Sequence, residues 1–154
     1  MERIVHAGAR VTVLHVVAFI FAIVVQTSLK FSAQRAARNQ QKPFVRYSVQ
    51  AQDRALLVAD RVVANVTEWS VPFLSLFWLN LALVSATHSA GDGQHIVTAG
   101  WVFAVARVVY VFLCNFGGAL GTSGPKPRVF IATAPGYLAL LYLLVRLISS
   151  LVQQ

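Results

Sequence analysis

Four separate stretches of this chain are apolar over about 20 residues or more, the length needed to cross the hydrocarbon core of a bilayer at about 1.5 Å of rise per residue. They fall at about 11–29, 55–85, 96–120 and 129–151. A chain of 154 residues has no monomeric core large enough to hide them, and only 12% of its residues are charged, about half the share of a soluble domain. The sequence therefore predicts an all-α protein: one integral membrane domain over 1–154, folded as a four-helix bundle.

Residues 1–10 are short, and the apolar run that follows passes Val25 without a small-residue cleavage site. That pattern reads as a retained first span rather than a cleaved signal, and Glu2 argues against a mitochondrial presequence. The first span is interrupted by His15, Gln26, Thr27 and Ser28. Residues 30–54 form a polar connection with Lys30, Arg35, Arg38, Lys42, Arg46 and Arg54 against the acid Asp53; Pro43 lies within it, between helical ends. The second span carries Asp60, Arg61, Asn65 and Glu68 in its first half, whereas 72–84 is lipid-compatible, with Pro72 placed to kink it. Residues 85–94, with Gly91 and Gly93, are expected to turn, and the Gly- and Pro-rich residues 117–128 to break the third helix.

The excess of 13 basic over 5 acidic residues gives +8. Nucleic acid is not the expected partner, because the cations are neither gathered on an amphipathic helix nor interleaved with exposed aromatics. Most sit in a loop beside a hydrophobic span, which fits the positive-inside rule and attraction to anionic membrane lipids. The first and third connections hold six and two basic residues, counting Arg128, so both are expected in the cytosol with the termini opposite. Cys114 is the single cysteine, which excludes an intramolecular disulfide and a cysteine-based metal site; its apolar setting makes it a helix filler. His15 reads as an interhelical hydrogen-bonding residue, His88 and His95 as solvated, and Trp69, Trp78 and Trp101 as interfacial or packing residues. No metal site is expected.

Charges inside a span need partners, since a centred one costs about 2.5–3.5 kcal/mol on insertion scales. Arg61, Asn65 and Glu68 stand at i, i+4 and i+7 and share an arc of about 60° on one helix face. Arg107, Tyr110 and Cys114 repeat the pattern on the third span, where Arg107 is the expected buried counter-charge for Glu68 or Asp60. Neutralisation that merely locks helix packing is the alternative for Asp60 and Arg107. Arg35, Arg38, Lys126 and Arg128 come from the same membrane side. Arginines, an amide, a carboxylate and a phenol together suit a zwitterion with two carboxylates and an amine, because guanidinium binds carboxylate through two parallel bonds and Glu68 can pair with the amine. Glutathione has that character, and a nearby guanidinium would favour its thiolate.

The segment Arg61-Val-Val-Ala-Asn65-Val-Thr-Glu68-Trp-Ser-Val-Pro-Phe resembles the second-helix signature of the membrane-associated proteins in eicosanoid and glutathione metabolism, the MAPEG family, which includes microsomal glutathione S-transferases, leukotriene C synthase and prostaglandin E synthase. Ser32-Ala-Gln-Arg35-Ala-Ala-Arg38 is similar to the basic end of that family's first helix, Arg107-x-x-Tyr110 to its third-helix motif, and Pro127-Arg128 to the loop before its fourth helix. The resemblance implies a homotrimer with glutathione between subunits in the cytosolic half of the bilayer. Asn65, Glu68, Arg107 and Tyr110 would hold the tripeptide, with Arg61 and Arg38 in support, and Arg128 or Arg35 would stabilise the thiolate. The chain departs from the pattern at Cys114, where many members have a second tyrosine, and at Val129, where prostaglandin E synthase has serine. The resulting reading is a glutathione-dependent transferase or peroxidase acting on apolar electrophiles or lipid peroxides. The alternative is a non-catalytic relative that binds lipid, or a structural subunit of a larger membrane assembly. The endoplasmic reticulum is the expected membrane, with the mitochondrial membrane as the alternative.

Overall fold

The computed structural model describes residues 2–45, 54–87, 90–118, 120–121 and 124–152. Four helices carry the fold: α1 (Glu2–Asn39), α2 (Arg54–Thr87), α3 (Ala90–Asn115) and α4 (Arg128–Val152). All four are long and apolar enough to cross a membrane. Two-residue strands, β1 (Leu120–Gly121) and β2 (Gly124–Pro125), pair antiparallel between α3 and α4.

Helix α1 extends ten residues past the predicted first span, because 30–39 is rich in the good helix formers alanine, arginine, lysine and glutamine and has neither glycine nor proline. It closes on a left-handed residue, Gln41 (φ 54°), with the Lys42 amide donating to Ala37 O at 3.0 Å; Pro43 then prevents continuation. At 38 residues, α1 is about 57 Å long, nearly twice the hydrocarbon thickness of about 30 Å. Its last turns, with Arg35, Arg38 and the start of α2, form a basic end that outreaches the shorter α3 and α4.

The turn expected over 85–94 is much tighter, since α2 continues to Thr87 and α3 begins at Ala90. Gly93 is a site of close approach rather than a turn residue: a Cβ there would come within 2.6 Å of Ile4 Cδ1 on α1. His88, expected to be solvated, lies outside the described residues, whereas His95 is exposed. At the other end α3 stops at Asn115, five residues before the predicted end, where Gly117 and Gly118 (φ 57°) follow. Helix α2 passes Pro72 without interruption.

Helix α3 is the most buried of the four and packs against each of the others, while α1 and α4 lie on opposite sides of it. Two apolar clusters result. The one farther from the basic end is aromatic: Phe73 stacks on Phe103 with centroids 4.0 Å apart, and Phe77 follows at 5.5 Å. Glycines make room for it, since a Cβ on Gly100 would fall on the Phe77 ring. Asn80, inside the stretch predicted to be plainly lipid-compatible, is 2% exposed and donates from Nδ2 to Leu143 O on α4 at 2.9 Å. Also at this end, Arg146 of α4 pairs with Asp92 at the start of α3.

The second cluster, nearer the basic end, is built from smaller side chains: Ala22, Val62, Val66, Val111, Cys114, Val129 and Ala132, with Tyr110. Cys114 is buried there as the apolar filler predicted.

Candidate functional site

On α2 the helical repeat turns Val62, Val66 and Phe73 inward, each 0% exposed. The polar stripe is offset from that face, so Asn65 is half-buried and Arg61 and Glu68 are exposed on the outside of the single subunit. On α3 the same repeat turns Phe103, Arg107, Tyr110 and Cys114 inward.

Arg107 is 1% exposed, the largest fully buried side chain of the bundle. Its Nη1 donates to Asn65 Oδ1 at 2.9 Å. Within the subunit the partner is thus an amide, not the acid expected at Glu68 or Asp60. An amide oxygen accepts from the cation without bringing a second charge out of water, and burying an ion pair often costs more desolvation than the attraction returns. Asp60 instead accepts a hydrogen bond from Gln26 Nε2 on α1 at 2.7 Å.

Aromatic rings surround the guanidinium. Arg107 Cζ lies 4.8 Å from the Phe103 centroid, 5.7 Å from Tyr137 and 5.8 Å from Tyr110, distances at which the ring quadrupole attracts a cation. Quadrupoles do not replace hydrogen-bond acceptors, however. Nε and Nη2 have no partner among the described residues, and an orphaned buried donor costs about 1–3 kcal/mol, more when charged.

His15, 2% exposed, lies one helical layer farther in. Its Nε2 is 2.9 Å from Ser70 Oγ, and the Ser70 hydroxyl already donates to Val66 O at 2.6 Å. One hydroxyl hydrogen cannot serve both bonds, so Nε2 is the donor and the ring joins α1 to α2 as the interhelical residue predicted. Among the described residues no group of three His, Cys, Asp or Glu could hold a metal ion.

Of the residues singled out from sequence, Asn65, Arg107 and Tyr110 come together inside one subunit. Arg35 and Arg38 stand exposed near the end of α1, and Arg128, also exposed, opens α4. These cations share the basic end with the Asn65–Arg107 pair but are not drawn onto it within the chain. Sequence reasoning missed Tyr137. It is 39% exposed, packs against Trp69 with centroids 4.9 Å apart, and reaches Arg107 from α4. The available signal was Thr133 and Tyr137 at i and i+4, a polar edge on an otherwise lipid-like helix.

A family model described as the MAPEG family matches residues 7–149, a stretch that contains every site residue above. Comparison with curated proteins and with solved structures finds no match.

Proposed function

We propose that this chain, which belongs to the MAPEG family, a family of membrane proteins of eicosanoid and glutathione metabolism, binds glutathione at the basic end of its bundle and turns the thiol on an apolar electrophile or lipid peroxide in the bilayer. The observation that carries the reading is Arg107: buried, anchored by Asn65, and left with two nitrogens, Nε and Nη2, that have no hydrogen-bond partner among the described residues and so can take an acceptor from a ligand. A carboxylate of the tripeptide supplies such an acceptor, so the residues present fit the ligand.

Glu68 supports an assembly of copies. It lies one turn deeper than Asn65, and Asn65 is level with Arg107, which stands eight residues, about 12 Å, inside the end of α3. A carboxylate facing lipid at that depth is costly. A neighbouring subunit that covers Arg61 and Glu68 removes the cost and closes the site, which is the homotrimer the family resemblance implies. Glu68 then pairs with the ligand amine, Tyr110 with Arg107 lines the pocket, and Arg61 and Arg38 balance the remaining carboxylate. Arg128, with Arg35 as the second candidate, stabilises the thiolate, which supplies the nucleophile when glutathione is bound. With a chloroarene the sulfur–carbon bond forms at the ring carbon and chloride leaves with the bonding pair. We place the basic end in the cytosol and the protein in the endoplasmic reticulum.

Purified protein in nanodiscs tests the reading with glutathione and 1-chloro-2,4-dinitrobenzene. Wild type is expected to form the conjugate; Arg128→Ala is expected to lose about a hundredfold in kcat with glutathione affinity nearly unchanged, the pattern of a group that acts on developing charge rather than on binding. If glutathione neither binds nor raises the melting temperature, the chain is a lipid-binding or structural member of its family instead.

A further inference from the structure

We infer that α4 provides the inner wall of this site: Gly136 leaves room for one oxygen of a carboxylate beside Nη2 on the free edge of Arg107, and Tyr137 is the side chain that moves aside to admit the rest of the group. The inference rests on the proposed glutathione reading but assigns residues of α4 that reading does not use.

The two unpartnered nitrogens of Arg107 are Nε and Nη2. They lie on one edge of the guanidinium plane, and their N–H bonds run parallel at the spacing of two carboxylate oxygens. Asn65 has taken Nη1, on the other side. What remains is therefore a fork suited to one two-oxygen acceptor, rather than scattered leftover donors.

Gly136 lies beside that fork. A Cβ built on it would stand 3.9 Å from Arg107 Nη2, 3.7 Å from Phe103 Cδ2 and 3.6 Å from Ala106 Cβ. These are ordinary contacts, so there is space for one heavy atom beside Nη2, and any side chain at 136 would occupy it. The remaining walls around the guanidinium are Phe103, 0% exposed, and Tyr110, 5% exposed. Tyr137, at 39%, is the ring among the three that meets the surroundings. A carboxylate approaching Arg107 from outside the subunit passes Tyr137, and Trp69, in contact with that ring, reports the movement.

The test uses full-length wild type, Gly136→Ala and Tyr137→Ala in nanodiscs, titrated with glutathione and separately with succinate, with tryptophan fluorescence as readout and Trp69→Phe to assign the signal. Gly136→Ala is expected to keep the wild-type melting temperature, because its methyl meets only ordinary contacts, yet to weaken glutathione about tenfold, the loss of roughly one charge-assisted hydrogen bond. Tyr137→Ala is expected to raise the association rate. Wild-type affinity in a folded Gly136→Ala overturns the inference while leaving glutathione binding intact. Should Gly136→Ala fail to fold, an unchanged association rate in Tyr137→Ala overturns it instead. Succinate binding that depends on Gly136, without glutathione binding, upholds the carboxylate site and discards the glutathione reading; binding of neither discards both.

Discussion

The two ends of the bundle solve the same packing problem with opposite materials. Away from the basic end, Phe73, Phe77 and Phe103 interleave with Leu81, Ile96 and Leu143, glycines on the facing helices admit the large rings, and Asn80 is satisfied by a carbonyl across the interface. Toward the basic end most side chains shrink to alanine and valine, and the largest buried group is a cation with two of its three nitrogens unpartnered among the described residues. The first region spends its surface on holding helices together. The second leaves two nitrogens of a buried guanidinium without a hydrogen-bond partner among the described residues, a cost that an apolar side chain at the same place would avoid.

Three substitutions would break or sharpen that contrast. Phe77→Ala removes a fully buried ring from the aromatic cluster and is expected to cost about 3–5 kcal/mol of stability, read by reversible unfolding in detergent, with ligand affinity of the folded protein unaltered. A loss of affinity as large as the loss of stability would show that the two regions are not separable. Arg107→Met has the opposite profile. Replacing a buried cation, two of whose three nitrogens lack a partner among the described residues, by an apolar side chain of similar length is expected to leave stability within about 1–3 kcal/mol of wild type, because relief of the buried charge is set against the orphaned Asn65 Oδ1, while glutathione binding disappears; a much larger loss of stability in Arg107→Met would mean that the guanidinium is structural after all. Asn80→Leu should give the smallest effect, about 0.6 kcal/mol and at most about 1.7 kcal/mol, the mean and the maximum for interhelical hydrogen bonds in a membrane protein. A cost several times larger would make the far end dependent on its polar contact rather than on its rings.

Fold class and span count could be read from the sequence because in lipid the hydrophobic run is itself the structural unit, and length alone decides whether it crosses. Span ends were harder to place. Residues 30–39 are polar and were expected as a connection with helical ends, yet helix propensity outside the membrane carries α1 through them, while Gly93 resembles a turn residue until Ile4 is seen against it. The stripes on α2 and α3 were visible as periodicity, but their partnership was not: i, i+4 spacing says which residues share a face and nothing about depth or offset, so Arg107 was matched to acids when the amide at position 65 stands opposite it. Tyr137 escaped notice because a tyrosine in an apolar span carries no charge to draw attention, and its importance comes from the neighbour it covers.

The excess length of α1 has a kinetic consequence. A helix of 38 residues cannot be contained in a layer about 30 Å thick, and its last turns, past the apolar run, carry the exposed Arg35 and Arg38 into the aqueous phase as one side of a basic collar. Such a collar concentrates small anions before any of them touches a specific group, and the resulting speed of capture falls steeply as ionic strength rises. A water-soluble thiol and an oil-soluble acceptor could thus be gathered from two immiscible phases by one molecule, each along the route its own solubility dictates.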